Sequence, residues 1–409
     1  MPWRELSVSL QREEFVHLAL KPGANKSALS ERFGISRDKG YKWLRRFAAA
    51  GRSGLVDRPR RPRTSPGQTS PAIEAEVLRI RVASNGAWGG RKIAAAMERA
   101  GACAVPAPST ITAILRRHGQ LGARAAEHPG PYQRFERATP NELWQMDFKG
   151  HFALPRGRCH PLTVLDDHSR YALGLEACAD EQETSVRARL IAIFRRYGVP
   201  FSMIMDNGAP WGDGGGGRHT AFTAWLIRLG IDIRHGRPYH PQTRGKDERF
   251  HRSLKAEVLA GRAFRDLDHC QRAFDDWRLV YNHERPHEAL AMGVPAERYR
   301  VSPRAFPDAL PPIAYAPGDF VRKVQAHGWI SFANRPWRVG RAFVGEPVAL
   351  RPAAIDGVFT VHYCAQRIGT LDLRDPAACG FVDSAEAALP TTPQAPPPPQ
   401  PDQKMQLKG

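Results

Sequence analysis

The stretch "FSMIMDNGAPWG", residues 201–212, is mostly apolar from 201 to 205 and then stops at Asp206, Asn207 and Gly208. A short apolar run ended by Asn-Gly reads as a buried strand. A carboxylate at the end of such a strand is costly to bury unless something positive compensates it. The same pattern occurs upstream, where Asp147 interrupts the apolar run "LWQMDF". Around these two stretches, "ELWQMDFKGHFAL" reads as a strand, and "CHPLTVLDDHSRYALGLEA" as two more joined by a turn at 166–169. "EQETSVRARLIAIFRRYG" reads as a helix ended by Gly198, and "TAFTAWLIRLG" as one ended by Gly230, with the strand "IDIRHGRP" following. Hairpin strands followed by alternating helices and strands predict a mixed α/β sheet.

A third carboxylate, Glu248, lies early in a long helix expected over 245–260, within "HPQTRGKDERFHRSLKAEV". Helical spacing places Glu248, Arg252 and Lys255 on one face. Three carboxylates gathered at one sheet edge would repel each other, and a divalent cation removes that repulsion. All-oxygen ligands select Mg²⁺ or Mn²⁺. Two such ions can activate a hydroxyl and stabilise the leaving oxygen of a phosphodiester. Spacing alone leaves Asp166, Asp167, Asp213, Asp247 and Glu257 as competitors for the same role.

The N-terminal third reads as helical. "QREEFVHLAL", "KSALSERFG" and "GISRDKGYKWLRRF" predict three helices, with Gly34 in a tight turn and Ser36 as the N-cap of the third. Helix, tight turn and capped helix form the helix-turn-helix layout, whose second member enters the major groove. Arg37, Lys39, Lys42, Arg45 and Arg46 make that helix basic, and Trp43 and Phe47 are expected to face its core. Gly40 in mid-helix is discordant, since it costs about 1 kcal/mol relative to Ala. "DRPRRPRTSPGQTSP" reads as an extended basic linker whose Arg60, Arg61 and Arg63 could follow phosphates. A second helix-turn-helix-like unit follows, closing on "PSTITAILRRHG", with Ser109 as its expected cap and Arg116 and Arg117 at its end.

Residues 317–373 alternate with a period of two between turns at Gly328, Asn334, Gly345 and 356–357, which predicts a small β-barrel. "PTTPQAPPPPQPDQKMQLKG" cannot build a core and reads as disordered. The chain has 409 residues, enough for two to four domains, and a formal charge of +19 with a pI near 10.2. That surplus predicts a polyanionic partner, most simply nucleic acid. No stretch approaches the ~18 apolar residues that span a bilayer, and the first residues lack the apolar core of a signal peptide. Six scattered cysteines without a CxxC pair fit a reducing compartment. His235, His240, His251, His283 and His287 fit no standard zinc spacing.

Taken together, "LWQMDFKG", "LTVLDDHSRYALG", "IMDNGAPW", "HPQTRGKDERFHRSLKAEVL" and "YNHERPHEALAMGVPAERY" resemble the catalytic core of the DDE integrase/transposase superfamily. The nearest likeness is to bacterial insertion-sequence transposases with a retroviral-integrase-like core. The resemblance implies a ribonuclease H-like fold whose metal ligands and catalytic acids fall on Asp147, Asp206 and Glu248, holding two Mg²⁺ (or Mn²⁺) ions. It also implies supporting roles for Asn207, Gly208, His240, Gln242, Lys246, Arg249 and Lys255. Forty-one residues separate Asp206 from Glu248, more than is usual in the family, and "WGDGGGGRH" absorbs the surplus.

The expected organisation is a helix-turn-helix domain at 1–56, a basic linker at 57–70 and a second helix-turn-helix-like domain at 71–130. The catalytic core follows at 131–305, a small β-barrel at 315–382 and a Pro-rich tail at 383–409. The expected function is cleavage and strand transfer at the inverted repeats of an insertion sequence. DNA contacts would come from the basic residues named above together with Lys246, Arg252 and Lys255. Double-stranded DNA, both element ends and target, and a homo-oligomeric synaptic complex are the expected partners, in a bacterial cytoplasm at the nucleoid. The alternative readings are a DNA-binding regulator with a dead core and a nonspecific nuclease of the same fold.

Overall fold

A computed structural model describes residues 7–57, 67–122, 136–206, 208, 210–212, 219–235 and 245–375. Arg60, Arg61, Arg63, Asn207, His240, Gln242, the glycine run after Asp206 and the Pro-rich tail lie outside them. The chain divides into two compact units, Met1–Thr69 and Ser70–Gly409.

The first unit is built from α1 (Val8–Ala19), α2 (Lys26–Arg32) and α3 (Arg37–Ala50). Ser36 caps α3 by accepting from the Lys39 amide at 3.3 Å, and Gly34 takes the left-handed conformation that the turn requires, φ +62°. Phe15, Val16, Ala19, Trp43 and Leu55 form the core, with Phe47 packed against it. Close packing explains Gly40: a Cβ there would stand 2.8 Å from both Phe15 Cζ and Ser30 Oγ. Helix propensity is given up so that α1 and α2 can approach α3.

The second unit begins with α4 (Pro71–Ala83), α5 (Gly90–Arg99) and α6 (Pro108–Arg117). The cap of α6 is Ala107, not Ser109, because Pro108 fills the first helical position and shifts the boundary by two residues. Glu74 of α4 is buried and bound by both Arg117 and His118, which ties the two helices together.

The mixed sheet holds β1 (Trp144–Phe148), β2 (Phe152–Ala153), β3 (Arg158–Asp166), β4 (Ala172–Cys178), β5 (Ser202–Met205) and β6 (Asp232–His235). β1, β3 and β4 pair antiparallel, while β5 and β6 continue the sheet in parallel with β1. The crossover helices are α7 (Glu183–Tyr197) and α8 (Ala221–Arg228). Trp144, Met146, Met203 and Met205 pack with them on one face. On the other face lie α9 (Gly245–Leu254), a π-helical turn at Lys255–Leu259, and α10 (Leu267–His283), where Leu165, Phe250, Leu254 and Phe274 meet. The helix expected over 245–260 is therefore α-helical only as far as Leu254.

Side-chain amides cover both edges of the sheet. Asn282 and Gln271 of α10 bond the backbone of β4 at Ala172, Ala177 and Leu175. At β6, Gln366 bonds both the N–H and the C=O of Ile233, each at 2.9 Å. A short helix, α11 (Pro295–Arg298), then leads to the C-terminal strands. These are β7 (Phe320–Lys323), β8 (Trp329–Phe332), β9 (Arg335–Arg338), β10 (Pro347–Pro352), β11 (Val358–Tyr363) and β12 (Gln366–Asp372). They form a four-stranded ladder, β12-β11-β10-β7, and a separate β8-β9 hairpin. The expected barrel is thus not closed among the described residues. The turn glycines fall as predicted, with positive φ at Gly328, Gly345 and Gly357.

Candidate active site

Strand alternation decides where Asp147 points. Trp144 and Met146 enter the α7/α8 core, so Gln145 and Asp147 belong to the opposite face, the one covered by α9 and α10. In the parallel pairing of β1 with β5, Trp144 is level with Met203 and Gln145 with Ile204. The same register carried two residues further sets Asp206 beside Asp147 on neighbouring strands, roughly 5 Å apart in backbone, and on the same face. Both carboxylates are half-buried. Asp206 Oδ1 accepts the Gly208 amide at 3.0 Å, so the chain folds back over the acid as soon as the strand ends.

Helix α9 lies against that face. Asp247, Phe250 and Leu254 point inward and are buried, while Glu248, Arg249 and Arg252 are exposed, as is Lys255 just beyond the helix. His251, one turn after Glu248, reaches Thr163 of β3, with its Nε2 at 2.9 Å from the hydroxyl. Thr163 is the cross-strand partner of Asp147 and donates its hydroxyl proton to the Asp147 carbonyl, also at 2.9 Å. Burial, aided by the Lys149 cation, pulls the His251 imidazole down to about 4 and keeps it neutral. Among the described residues no group of three His, Cys, Asp or Glu side chains stands close enough to hold an ion. Asp147 and Asp206 are brought together by strand register, while Glu248 sits on the flank of the covering helix with its side chain in solvent.

Of the competing acids, Asp166, Asp167 and Glu257 have structural partners, and Asp213 lies outside the described residues. Asp166 closes the β3–β4 turn by accepting from the Asn141 and Ser169 amides, both at 2.7 Å, and burial raises its pKa. Asp167 accepts from Gln145 Nε2 at 2.7 Å and pairs with Lys246 at 2.5 Å. Glu257 is held by Trp277 Nε1 and Arg285 Nε, each at 2.9 Å. Lys246 therefore serves Asp167 inside the fold, and burial lowers its pKa to about 8. Of the other basic residues, Arg37, Lys39, Lys42, Arg45, Arg116, Arg252 and Lys255 are exposed. Arg46 stacks over Trp43, and Arg117 is engaged with Glu74.

Sequence reasoning missed Thr163, and it weighed His251 only as a zinc ligand. The three-residue step from Glu248 to His251 was the available signal. Lys149, whose pKa is lowered by burial and by the nearby Lys255, was also overlooked, although it stands two residues after Asp147, just beyond the end of β1.

Five family descriptions match the chain. Residues 11–63 match a helix-turn-helix domain, residues 39–115 a homeodomain-like domain, and residues 137–241 and 229–295 the integrase core domain. Residues 319–378 match the C-terminal domain of IS481 family transposases. An uncharacterized 31.7 kDa protein of insertion element IS407 from Burkholderia multivorans is 27% identical over 248 residues, 58% of this chain and 86% of that protein. An uncharacterized 39.2 kDa protein of insertion element IS476 from Xanthomonas euvesicatoria is 30% identical over 163 residues, 39% of this chain and 44% of that protein. Among solved structures, a simian T-cell lymphotropic virus intasome in complex with a PP2A regulatory subunit aligns at 15% identity and a TM-score of 0.37, covering 70% of this chain and 91% of that one. The HTLV-2 integrase catalytic core in complex with magnesium aligns at 14% identity and a TM-score of 0.31, covering 40% of this chain and 99% of that one.

Proposed function

Since the chain belongs to the DDE integrase/transposase superfamily and is a transposase of the insertion-sequence type, we propose that Asp147, Asp206 and Glu248 form its acidic catalytic centre. The observation that carries this reading is the β1–β5 register, which sets Asp147 and Asp206 side by side under the helix that bears Glu248. The donor set is all carboxylate oxygen, which fits Mg²⁺ or Mn²⁺. Two such ions, when bound, supply charge neutralisation and a lowered pKa for the attacking hydroxyl. Asp147, Asp206 and Glu248 would together hold these ions. Glu248 is exposed on α9, and to join the other two its side chain would have to turn toward the sheet.

The helix-turn-helix domains bind DNA. We assign the exposed basic face of α3 to the inverted repeats, and Arg252 and Lys255, on the same side of the site as Glu248, to phosphates of the reacting strand. Hydrolysis at the element end would expose a 3′-hydroxyl, and at the same centre that hydroxyl would then attack a target phosphodiester, forming the new bond to phosphorus as the target strand's own 3′-oxygen leaves and takes up a proton. Two ends processed together require a homo-oligomeric synaptic complex. No helix among the described residues is long and apolar enough to cross a membrane.

Strand transfer with labelled element ends tests the assignment. Asp206→Asn and Glu248→Gln are expected to lower the rate by at least about 10³-fold, while end binding in chelator stays unchanged. Wild-type turnover in either variant would remove that residue from the centre.

A further inference from the structure

We propose that Thr163 and His251 form a strut that sets the spacing between the two elements carrying Asp147 and Glu248, and so act as positioning residues for divalent-metal binding. The inference rests on the assignment of those two acids. Thr163 is fully buried, and its single hydroxyl proton goes to the Asp147 carbonyl, which can only accept. The 2.9 Å contact with His251 is therefore made by an Nε2–H that donates to the Thr163 oxygen, which fixes the imidazole tautomer. One end of the bridge is the backbone of the first acid. The other is the helical position one turn beyond the third acid.

Adhesion between helix and sheet does not need this bridge. Phe250 and Leu254 of α9 already pack against Leu165 and the aromatic side chains of α10. A polar contact at this depth has to offset its own desolvation, and an apolar pair of similar volume would hold the helix as well. The hydrogen bond adds direction: apolar contacts tolerate small sliding, whereas a 2.9 Å donor–acceptor pair does not. The height of α9 over the C-terminal end of β1 decides whether Glu248 can reach an ion shared with Asp147. Outer contacts of this kind are worth about 10–100-fold in metal affinity at other sites.

Mn²⁺ titration of the full chain without DNA, read by electron paramagnetic resonance, tests the strut. The informative protein is the double variant Thr163→Val/His251→Phe, since removing both side-chain polar groups leaves neither of the two as a buried orphan. Its melting temperature in chelator is expected to stay close to wild type, while Mn²⁺ binding weakens about tenfold. Thr163→Ser, which keeps the hydroxyl, is expected to bind as wild type does. Binding within about twofold of wild type in the double variant, with binding abolished by Asp147→Asn, would overturn the strut and leave the acidic centre standing. Undiminished binding in Asp147→Asn itself would overturn the centre and the strut together. Should the double variant not fold, Thr163→Val alone reads the same bridge with the same two outcomes.

Discussion

At the scale of single residues, burial decides which chemistry each side chain keeps. Gly40 has poor helix propensity, yet alanine would meet Phe15 and Ser30 at 2.8 Å. Gly40→Ala is therefore expected to destabilise the first unit by about 1–3 kcal/mol, because overpacking outweighs the ~1 kcal/mol propensity gain. A lowered melting temperature checks this, and a raised one refutes it. His287 shows the electrostatic side of burial. It is 8% exposed, and desolvation, with Arg285 adding to it, holds its pKa down to about 3. Its folded pKa is below the unfolded value of about 6.5, so the unfolded chain takes up the proton first and stability falls as pH drops through that window. Between pH 7 and 5 the loss from this group is about 2 kcal/mol. Urea unfolding at both pH values should show a shallower loss in His287→Asn than in wild type.

At the scale of elements, both edges of the central sheet are closed by amide side chains from elsewhere in the chain. An uncovered edge strand presents unpaired N–H and C=O groups that invite pairing with other chains. Gln366 supplies the missing partner to Ile233 at β6 and thereby pins the C-terminal strands to the core. Gln366→Ala is expected to cost about 1–3 kcal/mol and to expose the Ile233 amide, which hydrogen exchange reads residue by residue. Retained protection at Ile233 would mean that other contacts hold the edge. At β4, Asn282 and Gln271 of α10 do the same work. Neither glutamine carries a sequence signal for this role, because an isolated Gln looks the same on a surface as on a strand edge.

At the scale of the whole molecule, a charge of +19 is a statement about its polyanionic partner. Arg37, Lys39, Lys42 and Arg45 are exposed on α3. Each that neutralises a phosphate contributes about 0.9 to the slope of log affinity against log salt. Replacing all four with Ala is expected to reduce that slope by about 3 to 4 for element-end DNA, measured by fluorescence anisotropy over a salt series. An unchanged slope would place the binding face elsewhere.

The amino-acid order alone determined most of the local elements and put forward the three acids proposed here. The strand that carries Asp147, the strand that stops before Asp206, the cap at Ser36, the left-handed glycines and the helix carrying Glu248 all follow from short-range rules of sterics, capping and alternation. Tertiary structure alone decided which charges are spent inside the fold. Lys246 turns to Asp167, Arg117 to Glu74, and Glu257 to Arg285 and Trp277, because each partner lies far along the chain and meets it only after packing. The level placement of Asp147 and Asp206, the Thr163–His251 bridge and the open C-terminal ladder belong to the same class. Register and docking height are properties of paired elements, and no window of sequence contains both members of a pair.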